Sequence, residues 1–171
     1  DAEAQVLPAA QGAVGAAVHR QGRHARPHLV GLAHDVVAIA AGNNHTCALT
    51  SGGDVWCWGA DDDGQLGDGA STHADCNGTD CSASPVQVSA LQGVISLAAG
   101  GYHACAALDD GTVWCWGANN QGQLGTGQLA GHDDCDGDDC ARTPVQVTGV
   151  ADVVAVAAGE EGTCARTGDG N

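Results

Sequence analysis

The residues in this chain that could do chemistry are its nine cysteines, its histidines and a set of closely spaced aspartates, and their spacing recurs. Four cysteines stand as Cys76-x4-Cys81 and Cys135-x4-Cys140, with His73 and His132 three residues ahead of each pair. A His-Cys-Cys set offers three ligands to zinc. A local disulfide that staples the loop is the competing reading. The same two loops read DCNGTDC (75–81) and DDCDGDDC (133–140). Alternating Asp or Asn around a glycine resembles the opening of calcium-binding loops, where hard carboxylate oxygens converge on one cation. The candidate calcium ligands are Asp75, Asn77 and Asp80, with Asp134, Asp136, Asp138 and Asp139. The twelve-residue loop with its terminal Glu is missing, and Asp/Gly runs also make Asx turns. No cofactor other than calcium at these loops is expected.

Four further cysteines lie in two hairpins, HTCALT-SGG-DVWCWG and HACAAL-DDG-TVWCWG. A three-residue loop sets Cys47 opposite Cys57 and Cys105 opposite Cys115. Opposed residues in a non-hydrogen-bonded antiparallel pair have Cα atoms roughly 4.5 Å apart, within disulfide range. Disulfides Cys47–Cys57 and Cys105–Cys115 are therefore expected, each contributing at most about 2–3 kcal/mol because the closed loop is short. Such bridges imply an oxidising compartment: extracellular, cell surface or periplasmic. There the loop cysteines are expected as Cys76–Cys81 and Cys135–Cys140 disulfides in preference to zinc thiolates. Cys164 is expected to be unpaired, since the spacing puts its partner at position 174, beyond Asn171.

The elements that must position these groups are repeats. Gly42–Gly69 aligns without a gap on Gly100–Gly127, with 16 of 28 positions identical, and a third copy opens at Gly159. A period of 58 to 59 residues indicates a repeat architecture. Each copy opens with a short apolar run, VVAIAAG (36–42), VISLAAG (94–100) or VVAVAAG (153–159), the pattern of a strand buried on both faces. The hairpin follows. Gly53, Gly111 and Gly170 fall at the third loop position, which calls for a left-handed residue. A GQLG turn then leads to an outer strand beginning at Pro85 or Pro144, where a missing N–H suits a strand start or an edge. The expected fold is all-β, with propeller blades of about four antiparallel strands. Residues 35–93 and 94–152 make two full repeats and 153–171 the start of a third, so the propeller is incomplete. Its open blade edges invite self-association. Residues 1–34, rich in Ala, Gln and Gly, read as a poorly ordered leader or linker.

Charge narrows the function. The net charge is −16: residues 1–34 carry +1 and the rest −17, with Arg142 and Arg166 as its only cations. Such a surface repels phosphate backbones, which disfavours nucleic acid as a partner. No apolar run is long enough to insert in a membrane. His45 and His103 recur between copies while Gly162 replaces them in the third, as expected of a structural hydrogen-bonding strut. Trp56, Trp58, Trp114 and Trp116 read as packing between blades. Asn44-His45-Thr46 and Asn77-Gly78-Thr79 match the N-glycosylation pattern.

Taken in order, A-A-G-x-x-H-[TA]-C-A, V-W-C-W-G-A and G-Q-L-G-[DT]-G resemble the regulator of chromosome condensation repeat, over about Asp35 to Asn171. The resemblance implies a seven-bladed propeller. It implies either guanine-nucleotide exchange, the activity of the founding member, or a non-enzymatic interaction module like the bacterial surface and secreted members. Paired cysteines favour the second, a non-catalytic scaffold with a protein partner. No residue here matches a catalytic site. A sialidase-like propeller enzyme is a further alternative, suggested by Asp109-x-Gly111-x-x-Trp114. Such enzymes grip a carboxylate with several arginines and use a Tyr nucleophile, whereas the repeats hold Arg142, Arg166 and Tyr102.

Overall fold

A computed structural model describes residues 35–129, 133–135 and 137–171, and the leader assigned to 1–34 lies outside them. All twelve elements are strands. β1 (Val36–Ala41), β2 (His45–Thr50), β3 (Val55–Ala60), β4 (Ala74–Asp75) and β5 (Asp80–Gln87) form one antiparallel sheet in the order β1-β2-β3-β5-β4. β6 (Val94–Ala99), β7 (His103–Leu108), β8 (Val113–Ala118), β9 (Asp133–Cys135) and β10 (Asp138–Gln146) repeat that order as β6-β7-β8-β10-β9. β11 (Val153–Ala158) and β12 (Thr163–Thr167) make a third, two-stranded sheet. Each full blade thus has the four expected strands plus a short fifth, β4 or β9, which the cysteine-bearing insertion folds back to supply. Among the described residues no helix is long and apolar enough to cross a membrane.

The hairpin register is the one the loop length dictates. Cys47 pairs with Cys57 and Cys105 with Cys115, and Gly53, Gly111 and Gly170 have φ of 82°, 81° and 92°. The outer strands start earlier than the prolines suggest. β5 pairs with β3 from Cys81, shifts register between Cys57 and Gly59, and carries Pro85 within that irregular stretch. A residue without an N–H is tolerated where the ladder is already broken.

The inner strands are less buried than their apolar runs predict. Val37, Ile95 and Val154, one equivalent position in each copy, are 55%, 49% and 38% exposed. Burial concentrates instead between the sheets. Cys47, Leu49, Val55 and Cys57 from the first blade pack with Ala104, Ala106 and Trp116 from the second. Trp116 is fully buried, donates its indole N–H to the Gln65 carbonyl at 3.0 Å, and lies flat against Gly67. A Cβ on Gly67 would sit 2.7 Å from the indole Cδ1, so the glycine of the GQLG turn makes the slot for the neighbouring blade's tryptophan.

The histidine strut exists in one copy. His103 Nε2 is 2.8 Å from Thr163 Oγ1 of the third sheet, and that hydroxyl also donates to the Gln123 carbonyl. His45 is equally buried but has no hydrogen-bond partner among the described residues. The position equivalent to Thr163 in the second copy is Ala104, which has no hydroxyl to offer.

Candidate functional site

The side chains with chemistry converge where the first blade's insertion folds over its GQLG turn. Asp61 directly follows β3, and its amide donates to the Asp80 carbonyl at 2.8 Å. Its Oδ1 accepts the Leu66 amide at 2.8 Å, which closes the turn. The second blade closes the same turn with a neutral group, the Leu124 amide donating to Asn119 Oδ1 at 3.2 Å. The fold therefore needs an oxygen at this position and has no need of a charge.

In the first blade the charge is present and has company. His73, on the insertion, places Nε2 2.9 Å from Asp68 Oδ2 and Nδ1 3.1 Å from Asp61 Oδ2, with Asp80 Oδ2 at 3.9 Å. The Asp80 side chain also accepts the His73 amide at 2.6 Å. Asp61, Asp68 and His73 bring three ligand atoms within 4.8 Å of one another. Burial raises the Asp61 pKa to about 6, against the opposing pull of the Leu66 hydrogen bond and the His73 charge. For His73, burial acts to lower the pKa, but the Asp68 hydrogen bond and the charges of Asp61, Asp68 and Asp80 outweigh it and raise the value. An open cavity of about 390 Å³ adjoins the cluster and is lined in part by Arg142 of the second blade.

Of the residues picked out as calcium ligands, Asp75 lies opposite Asp80 and Asp134 opposite Asp139 in the two short ladders. Asp75 Oδ1 accepts the Gly78 amide at 2.6 Å and Asp134 Oδ1 the Gly137 amide at 2.7 Å, each completing a turn within its own loop. Asn77 has φ +62° at the tip of that turn. Asp139 accepts the Asn119 side-chain amide at 2.6 Å, and Asp138 is exposed opposite Cys135. Asp80 belongs both to that set and to the cluster around His73. His132 and Asp136 lie outside the described residues.

The cysteines sit where pairing requires. Cα separations are 4.1 Å for Cys47/Cys57 and Cys105/Cys115, and 5.9 Å for Cys76/Cys81 and Cys135/Cys140, with the sulfurs facing in each case. With Cys76 and Cys81 turned to each other, His73 is left to the carboxylates. Cys164 is exposed and unpaired.

Asp61 and Asp68 are the two members that the cysteine spacing does not indicate. A signal for them does exist in the difference between copies. ADDDGQLGDG in the first becomes ANNQGQLGTG in the second, so both carboxylates are replaced by neutral groups while the turn is kept.

Two repeat profiles, both described as the regulator of chromosome condensation (RCC1) repeat, match this chain. One covers residues 36–65 and 94–123, the other 52–107 and 110–166. The chain is 32% identical over 148 residues to the human "Regulator of chromosome condensation", covering 85% of this chain and 32% of that protein. It is 40% identical over 94 residues to the human "E3 ubiquitin-protein ligase HERC2", covering 54% of this chain and 2% of that one. To the Arabidopsis thaliana "RCC1 domain-containing protein RUG3, mitochondrial" it is 32% identical over 139 residues, or 79% of this chain and 27% of the other. The chain thus spans about a third or less of these relatives. Among solved structures it superposes on yeast Prp20p with a TM-score of 0.65 at 23% identity, over 78% of this chain and 31% of that one. It matches human WBSCR16 with a TM-score of 0.61 at 25% identity, over 80% and 32%. The stacked, disulfide-distance hairpins are blades of an open, incomplete β-propeller, and the chain belongs to the regulator of chromosome condensation (RCC1) repeat family.

Proposed function

We propose that this chain is part of a non-catalytic, extracytoplasmic propeller that presents its cysteine-stapled acidic insertions to a protein partner. One observation carries the reading. Both blades carry on the same frame an Asp-rich loop held out on the outer strand by a cysteine pair. Rigid blades that carry variable loops are the arrangement by which propellers bind other molecules. Two further facts support a protein ligand. Yeast Prp20p has binding properties toward Gsp1p and histones, and another structure holds Kap60 bound to yeast RCC1 (Prp20). With a net charge of −16 this chain calls for a basic partner surface. Four cysteine pairs at bonding geometry favour a location where thiols oxidise.

Quantitative capture from the extracellular fraction tests this, with the wild-type chain beside a variant carrying Asp75→Asn, Asp134→Asn and Asp138→Asn. A basic protein retained by the wild type and lost by the variant, at unchanged unfolding midpoint, supports the reading. Accelerated nucleotide release from any small GTPase would replace it with the exchange-factor alternative.

A further inference from the structure

We propose that Asp61, His73 and Asp80 of the first blade form a binding site for a divalent transition-metal ion, with Zn²⁺ as its reference. His73 Nδ1 stands 3.1 Å from Asp61 Oδ2 and 3.9 Å from Asp80 Oδ2. Nitrogen and oxygen ligands about 2.0–2.2 Å from one tetrahedral ion lie roughly 3.4 Å from each other. The two distances from His73 Nδ1 bracket that ligand-to-ligand spacing.

Three observations separate this cluster from an ordinary acidic patch. First, His73 Nδ1 is buried and, among the described residues, its 3.1 Å contact with Asp61 lacks the alignment of a hydrogen bond. Second, the other ring nitrogen is engaged, with Nε2 2.9 Å from Asp68 Oδ2. A carboxylate on the far nitrogen is the usual support of a ligating histidine, and it leaves the Nδ1 lone pair for the ion. Third, the second blade builds the same turn with Asn119 and Thr126 in place of Asp61 and Asp68. Folding does not call for these charges.

The donors reach the ion from two sides. Asp61 lies at the end of β3, whereas His73 and Asp80 belong to the insertion, so a bound ion ties the insertion to its blade. The adjoining cavity leaves remaining coordination positions open to water or to an incoming side chain. An imidazole beside two carboxylates suits zinc and its neighbours in the first transition row better than Ca²⁺ or Mg²⁺. The inference does not depend on the partner-binding reading above.

The full chain, unreduced and stripped of metal, is titrated with Zn²⁺ by calorimetry and equilibrium dialysis beside Asp61→Asn, His73→Gln and Asp68→Asn. Asp61→Asn reproduces the second blade's residue and keeps the Leu66 hydrogen bond. The wild type is expected to bind one more equivalent of Zn²⁺ than Asp61→Asn or His73→Gln. Asp68→Asn is expected to weaken that equivalent by about 10–100-fold. Ions held by His19, His24, His28 or His34 appear equally in every variant and cancel in the comparison. Co²⁺ in the same site should show the visible absorption of a four-coordinate ion, lost in His73→Gln. If a variant loses its far-UV spectrum, Asp80→Asn replaces it. Equal stoichiometry and affinity in all chains overturns the proposal, as does a wild type without saturable binding or one that prefers Ca²⁺.

Discussion

Acid should loosen this propeller through two buried imidazoles, and the effect has a size. His45 and His103 are 3% and 0% exposed, and burial pushes each pKa down from 6.5 to about 4, helped for His45 by the nearby charge of His103. An unfolded chain takes up these protons near pH 6.5, while the folded chain refuses them until about pH 4. The stability they protect is therefore complete above pH 6.5 and drains away as pH falls through that window. A pKa difference of this size is worth about 3 kcal/mol per histidine. Asp61 works the other way. Its pKa, raised from 3.8 to about 6, burdens the fold above pH 6, and protonation on acidification relieves about 3 kcal/mol. His73, whose pKa is raised, also favours the folded chain in acid, so the net expected loss is smaller than the sum for the two buried histidines but keeps its sign. Urea unfolding with chelator present, measured from pH 7.5 down to 4, reads the loss directly. His103→Gln removes one imidazole and should flatten the slope by about half of the histidine contribution. Imidazole NMR titration should find two rings still neutral at pH 5. A wild-type stability that is level or rising between pH 6.5 and 4, or an unchanged slope in His103→Gln, would refute the reasoning.

Three other outcomes follow from the packing. Gly67→Ala, with φ +68° and the Trp116 indole 2.7 Å from the new Cβ, should cost about 2–4 kcal/mol, from backbone strain plus overpacking. Gly78→Ala, with φ +86° and open space around it, should cost only about 1 kcal/mol, so equal urea midpoints would contradict the slot. Thr163→Ala leaves His103 buried without a partner and should cost about 1–3 kcal/mol, whereas Thr46→Ala at the equivalent position should stay within about 0.5 kcal/mol. Hydrogen exchange of the β11–β12 hairpin resolves the first of these even if that hairpin opens separately. Finally, thiol titration of the denatured, unreduced chain should find the single sulfhydryl of Cys164, against nine after reduction. More than one before reduction would unseat the disulfide assignment and, with it, the extracytoplasmic reading.

Much of the architecture was open to inspection in the one-dimensional chain because it is set locally. The distance between Cys47 and Cys57 follows from a three-residue loop and the pairing rule of antiparallel strands, neither of which depends on anything far away. The same holds for the left-handed glycines and for the repeat period itself. The short strands β4 and β9 were missed because their residues, Ala74–Asp75 and Asp133–Cys135, carry a turn composition and become strand only by lying along β5 and β10. The calcium-like spacing was legible too, but spacing alone does not aim carboxylates. Asp75 and Asp134 spend an oxygen on their own backbone amides.

The sequence by itself determined what each copy is: a hairpin, a turn, a stapled insertion and an outer strand, all written in short-range geometry. Tertiary structure alone decided which side chains meet. His45 and His103 look interchangeable until the next blade supplies Thr163 to one and Ala104 to the other. Asp61, Asp68 and His73 become neighbours only when the insertion folds back over the GQLG turn. Local register depends on residues a few positions apart, whereas a side chain's partners and desolvation depend on what the rest of the chain packs against it.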